Sequence, residues 1–184
     1  MDRRGFLTGA VAGGAALAAP AIVHAYAVAP RFQPQIVAVK PGYRPGEIHV
    51  DPHIHHLYFM LPNAEAIRYG VAVGANDQYV PGRFRVGRKA EWPSWTPTAN
   101  MIRREPEKYA RFAGGVPGGP DNPLGARALY LYRGSRDSML RIHGTPQPWS
   151  IGQSVSSGCV RMVNEHVMDL YERVGNGARV TLHG

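Results

Sequence analysis

Glycine or proline interrupts this chain every few residues. With 22 Gly and 16 Pro among 184 residues, about a fifth of the sequence, the composition stays below the level that marks disorder. It reads as short strands joined by many turns. The single cysteine excludes an internal disulfide framework, so buried apolar side chains must hold the fold together. The sequence contains no internal repeat and no heptad pattern.

Residues 47–51 alternate and predict a first strand, and residues 55–61 predict its hairpin partner, with Asp51-Pro52 near the turn. Residues 67–74 are a third candidate strand. His53, His55 and His56 invite a metal reading, because His-x-His on a strand sets two imidazoles on one face. No Cys, Asp or Glu follows at a recognised ligand spacing, so a polar hairpin tip is the better account and no metal is expected. Trp92 and Trp95 lie in a proline-rich segment that cannot be regular sheet throughout. They either wall a binding cleft or pin their loop to the core.

Residues 101–111 predict a short helix that Pro106 limits. Residues 116–125 form a glycine- and proline-rich loop without the lysine and spacing of a phosphate cradle. Residues 128–132 and 139–143 read as adjacent strands joined by a turn at 134–137, with Tyr130 and Tyr132 assigned to packing before cleft lining. Residues 146–155 are a loop. Asn164 is placed to cap a helix, with Glu165 in its first turn. Val167, Leu170, Tyr171 and Val174 share one helical face, and Gly175 ends the helix. Residues 178–182 close the chain as a strand. The patterns alone give a mainly β domain, sandwich- or barrel-like, with one or two short helices.

The lone Cys159 sits in Ser156-Ser157-Gly158-Cys159-Val160-Arg161-Met162. A solitary cysteine is ordinarily a small buried hydrophobe. Here its flanks are polar and flexible, and His143 lies on a predicted strand sixteen positions upstream (159 − 143). A cysteine nucleophile reacts as thiolate and needs a base within reach. A neighbouring glycine lets a substrate carbonyl approach backbone N–H groups that can hold an oxyanion, for which Gly158 and Cys159 are the candidates. Arg161, two residues on, either grips a substrate carboxylate in a bidentate pair or braces the loop. Ser156 either shapes the loop by hydrogen bonds or touches substrate.

Ile142-His143-Gly144-Thr145 followed by Ser156-Ser157-Gly158-Cys159-Val160-Arg161-Met162-Val163-Asn164 resembles the signature of the L,D-transpeptidases, the YkuD-type catalytic domain of bacterial cell-wall enzymes. Glu91-Trp92-Pro93-Ser94-Trp95-Thr96-Pro97-Thr98 and Gly118-Gly119-Pro120-Asp121-Asn122-Pro123-Leu124-Gly125 resemble its ErfK/YbiS-like branch, so the likeness runs from about residue 46 to the C-terminus. One departure is Ser157, where many relatives carry a second histidine. The resemblance implies a mixed β-sandwich in which the Cys loop and His strand meet at one end. It implies peptidoglycan stem peptides as substrate, Cys159 as nucleophile and His143 as general base, oriented by the Gly144 backbone carbonyl. It tips Trp92 and Trp95 toward a loop bordering the site, with Ser157 a weaker neighbour of the substrate. It requires no cofactor. The acceptor stays open: a second stem peptide, water (an L,D-carboxypeptidase) or an outer-membrane protein. A noncatalytic wall-binding module is the reading of another class.

Arg3-Arg4-Gly5-Phe6-Leu7, a weakly apolar run over 10–19 and Val23-His24-Ala25 resemble a cleaved twin-arginine export signal over residues 1–25. The run is too weakly apolar for a spanning helix, so an uncleaved anchor is the lesser reading and no membrane span is expected after cleavage. Residues 26–45, rich in proline and without period, read as an N-terminal arm, and 46–184 as the catalytic domain. Loss of Arg3, Arg4 and Asp2 takes the formal charge from +8 to +7. The positive charge of a basic, periplasmic protein either draws it to anionic wall peptides with free carboxylates or merely aids solubility. Nucleic acid is the other common partner of a basic chain, but no recognition motif supports it.

Overall fold

The computed structural model describes residues 26–184; the expected export signal lies outside the described residues. Eleven strands are formed: β1 Gln35–Ala38, β2 Ile48–Asp51, β3 His56–Met60, β4 Glu65–Gly70, β5 Val73–Gly74, β6 Gly82–Glu91, β7 Arg127–Arg133, β8 Arg136–His143, β9 Ser154–Ser156, β10 Val160–Arg161 and β11 Arg179–Leu182. Three short α-helices join them: α1 Ala99–Arg104, α2 Pro106–Tyr109 and α3 Asn164–Arg173. Nine strands make one mixed sheet in the order β1-β4-β3-β2-β11-β6-β7-β8-β10, and β5 pairs with β9 in a second, two-stranded one. Most neighbours are antiparallel; β11 with β2, β10 with β8 and β5 with β9 are parallel. This is the mainly β class that the patterns predict, with the mixed sheet that the resemblance implies.

Alternation decides what faces inward. In β2, Ile48 and Val50 are fully buried while His49 and Asp51 turn outward. Residues from the two halves of the long sheet, among them Ile48, Leu57 and Tyr69 from one and Leu129, Leu131 and Ile142 from the other, share a single core. The sheet is therefore rolled over that core, and Val167 and Leu170 of α3 fill it further. The roll brings the two ends together: Ala72, just after β4, and Arg161 of β10 exchange backbone hydrogen bonds of 2.9 and 2.8 Å.

That seam explains one departure from the sequence reading. Residues 67–74 do not run as one strand. The chain leaves β4 at Gly70, pairs with β10 at Ala72, and starts β5 in the other sheet. The helix expected over 101–111 is divided at Glu105 because Pro106 opens a new helix as its first residue.

Asn164 does not cap α3. It is the first helical residue, and its Oδ1 accepts the backbone N–H of Ala126 at 3.0 Å. Gly175 follows the helix, but Gly177 takes the positive φ, +89°. The N-terminal arm is not wholly irregular: β1 adds an edge strand on β4, and Phe32 is buried with Val28, Ala72, Ile151 and Val163. Gly70 and Gly152 leave the room for Phe32, since a Cβ at either would overlap its side chain.

Candidate active site

Cys159 is the residue before β10, and β10 runs parallel to β8 with Val160 level with Ile142 and Arg161 level with His143. The N–H of Met162 donates to the His143 carbonyl at 2.8 Å. Nucleophile loop and histidine strand are thus laced together at the sheet's edge. At the other end of the motif, Asn164 Oδ1 fills the gap beside Gly125 and Gly144; a Cβ on either glycine would overlap it. Asn164 therefore ties the Cys motif to the turn that follows His143.

The loop holds its own shape. Ser156 Oγ donates to the Cys159 carbonyl at 2.5 Å and accepts the Gly158 N–H at 3.2 Å. Gly158 has φ +118°, and a Cβ there would lie 2.9 Å from the Gln78 carbonyl oxygen, so the turn demands glycine. The Gly158 N–H is thus engaged by Ser156 in this structure. Ser157 Oγ lies 3.2 Å from Tyr109 Oη, and Arg161 reaches the Gln147 amide oxygen at 3.5 Å.

His143 is 3% exposed. Its Nδ1 donates to the Gly144 carbonyl at 2.6 Å, which assigns the proton to Nδ1 and leaves the Nε2 lone pair to accept one. Burial, with the charges of Arg161 and Arg141, pushes its pKa down to about 3, against the pull of the Gly144 and Leu124 carbonyls. Burial pushes the Cys159 thiol up, and the Arg141 backbone and the Arg141 and Arg161 charges offset only part of that. Both shifts favour the uncharged forms, thiol and imidazole, over an ion pair.

The thiol is half-buried, 3.9 Å from the Met139 carbonyl. Met139 owes that position to a bulge. Tyr130 pairs with Arg141 and Tyr132 with Asp137, so three residues of β8 oppose the single Leu131 of β7. Met139 sits at φ +64° in this bulge, fixed by its N–H on Asp137 Oδ1 at 2.8 Å.

Trp95 packs on Tyr109 and Phe112, with ring centroids 6.2 and 5.9 Å away, and so pins its own loop. That loop reaches the site through Tyr109. Trp92 is exposed, tied by its backbone to Ala126 and Gly118, and is not brought to the Cys–His pair. Sequence reading missed Tyr109, Met139 and Arg141. Arg141 was legible, two residues before His143 on the same strand face; the other two depend on the loop and the bulge. The His55 and His56 rings diverge, to Ser154 and the Arg31 carbonyl, while His53 bonds Asp51 only through its backbone N–H. Among the described residues no group of three His, Cys, Asp or Glu side chains could hold a metal, and no helix is long and apolar enough to cross a membrane.

A buried histidine with Nδ1 tied to a backbone carbonyl, one strand from a cysteine on a glycine turn, is an arrangement compatible with cysteine acyl transfer. The chain belongs to the L,D-transpeptidase catalytic domain family of the YkuD type, whose model matches residues 45–182. It is 34% identical over 129 residues to the Escherichia coli K12 protein named Probable L,D-transpeptidase ErfK/SrfK, covering 68% of this chain and 40% of that one. To the E. coli K12 protein named Probable L,D-transpeptidase YbiS it is 40% identical over 111 residues, 60% of this chain and 35% of that one. The matched regions thus span well under half the length of these two relatives.

A solved Brucella melitensis structure titled Probable carnitine operon oxidoreductase caia is 51% identical, with TM-score 0.58, covering 80% of this chain and 91% of that one. An L,D-transpeptidase from Mycobacterium smegmatis shares the fold at 16% identity and TM-score 0.54, over 74% of this chain and 58% of that one.

Proposed function

We propose that the protein is a peptidoglycan L,D-transpeptidase. Cys159 Sγ attacks the carbonyl that joins the third residue of a tetrapeptide stem to its terminal D-Ala. His143 Nε2 takes the thiol proton as the carbon–sulfur bond forms and passes it to the departing D-Ala amine. The Cys159 N–H receives the oxyanion. The acyl group is left as a thioester on Cys159. An acceptor amine, the side chain of a second stem, then attacks, gives its proton to His143, and frees the thiol with a new amide bond.

The observation that carries this reading is the His143 Nδ1 bond to the Gly144 carbonyl, which frees Nε2 as the base on the strand beside the nucleophile. Ser156 and Gly158 support the loop. Arg161, half-buried near the thiol with a neutral amide as its polar neighbour, is the residue proposed to meet a substrate carboxylate. Ser157 and Tyr109 border the cleft, and Trp95 holds that border in place.

A cell-wall substrate fits an exported protein, and the twin-arginine-like N-terminus supports a periplasmic location with cleavage after residue 25, leaving arm 26–45 and catalytic domain 46–184. Mass spectrometry of products from the purified protein and a tetrapeptide muropeptide, beside Cys159→Ala, tests the reading. Loss of D-Ala with a cross-linked dimer from the unsubstituted protein alone is the expected result. Tripeptide without dimer makes it a carboxypeptidase. Turnover only when an outer-membrane protein acceptor is added makes it an attachment enzyme. Wall binding unchanged in the variant, with no turnover by either protein, makes it a binding module.

A further inference from the structure

One row across the sheet carries more positive charge than the reaction described above uses. Arg88 of β6 pairs with Tyr130 of β7, and Tyr130 with Arg141 of β8. Cross-strand partners share a face. The Arg88 guanidinium lies 3.5 Å from the centre of the Tyr130 ring, and that of Arg141 lies 4.1 Å from it. Both distances are well inside the range for cation–π attraction, and between the two cations Tyr130 is only 6% exposed. The next position in the same row belongs to Cys159, because Val160 is level with Ile142.

The two arginines differ in freedom. Arg141 is buried and donates to both carboxylate oxygens of Asp137, at 2.6 and 2.9 Å, and to the Leu140 carbonyl at 2.9 Å. Arg88 is exposed and makes no contact ion pair among the described residues; its charge helps lower the pKa of Asp137, but both Asp137 oxygens are held by Arg141. With Arg161, three guanidiniums stand along two adjacent rows against one carboxylate, Asp137. A row of cations with one unpaired member, opening from the nucleophile, is suited to an anion that arrives with the substrate. Strand spacings of ~4.8 Å put the Arg88 backbone about 14 Å from that of Cys159. Its guanidinium, stacked on Tyr130, is nearer.

We propose that the Arg88–Tyr130–Arg141 stack is a carboxylate subsite for the acyl donor. Arg88 binds a free carboxylate of the donor about 10 Å from its reacting carbonyl. Tyr130 is the platform that keeps Arg88 extended along the sheet, and Arg141, locked by Asp137, positions Tyr130. This rests on the reading of Cys159 as an acyl-transfer nucleophile, and selects among donors by charge.

Two measurements separate its failure from the failure of that reading. The first alkylates Cys159 in the full chain with 6-(iodoacetamido)hexanoic acid, whose extended arm matches the separation of Arg88 from the reacting carbonyl, and with its uncharged amide, a pair that differs only in a carboxylate. The ratio of the two rates, acid over amide, is expected to fall about fivefold in Arg88→Gln and to recover in Arg88→Lys. A ratio unchanged in Arg88→Gln overturns the subsite, whatever reaction the protein catalyses. The second measures kinetics on a tetrapeptide stem. Arg88→Gln is expected to raise KM about tenfold with a smaller change in kcat, and amidation of the donor's carboxylates is expected to abolish the difference between the two proteins. A fall in kcat at constant KM, equal for charged and amidated donors, overturns the subsite. A shifted alkylation ratio in a protein that turns over no stem peptide supports the anion subsite and removes the transpeptidase reading.

Discussion

The two faces of the β7–β8 pair are almost equally buried and chemically opposite. Inward, Leu129, Leu131 and Ile142 have no exposed surface and belong to the main core. Outward, Tyr130, Arg141 and His143 are only 6%, 8% and 3% exposed, yet they carry a phenol, a guanidinium and an imidazole. The inner face is buried because transfer from water stabilises it. The outer face is buried at a cost and is held by polar partners, Asp137 for Arg141 and the Gly144 carbonyl for His143, and by the guanidiniums on the Tyr130 ring. The same two strands thus serve as floor of the core and wall of the site, and the period of two lets one segment do both.

Substitutions on the two faces should fail differently. On the outer face, Cys159→Ala and His143→Gln are expected to lower turnover of stem peptide by about 10⁴-fold or more, with cooperative unfolding retained. An unfolded His143→Gln would place that residue with the core. On the inner face, Leu131→Ala is expected to cost about 2–5 kcal/mol in denaturant unfolding, while Cys159 in the remaining folded protein keeps its alkylation rate.

Gly144→Ala joins the two faces, because its Cβ would overlap Asn164 Oδ1, which holds the Cys motif to the His143 turn. A loss of about 1–3 kcal/mol is expected, together with lowered turnover; Asn164→Ala beside it is expected to relieve part of that loss. The subtlest effect lies in the pH profile. Burial holds His143 near 3 and raises the Cys159 thiol above its usual range. The imidazole is then already neutral at every pH above about 4, so alkylation by iodoacetamide should show no inflection near 6.5 and should still be climbing at pH 9. A plateau below pH 7 would mean an ion pair at rest.

The same groups fix the direction of acid sensitivity. His143 takes up its proton at about 3 in the folded protein against 6.5 when unfolded. Between those values the unfolded chain binds the extra proton, so stability falls as pH drops below 6.5. Melting temperature measured from pH 7 to pH 4 should fall less steeply in His143→Gln.

Much of this was readable before any fold was known. Alternation placed Ile48 and Val50 inward, and Pro106 marked where helix must break. Neighbours and spacing singled out Cys159 and His143. The misses share a cause. Asn164 has the right chemistry for a cap, but a partner 38 positions earlier, the Ala126 N–H, competes for its oxygen and wins. The bulge at Met139 leaves no mark in residue type, since methionine has no preference for φ +64°. Phe32 in a proline-rich arm gives no sign that Gly70 and Gly152 have left a gap for it.

The sequence alone carried the strand-rich class, the choice of Cys159 and His143 as candidates and the inward set of side chains, because these follow from residue chemistry and the two-residue period of a strand. Tertiary structure alone decided that the sheet's ends meet at Ala72 and Arg161, that Ser156 claims the Gly158 N–H, and that Tyr130 stands between two guanidiniums. Each of these joins groups brought together by the chain's path in space, where hydrogen-bond geometry, burial and charge act on distance and not on position in the sequence.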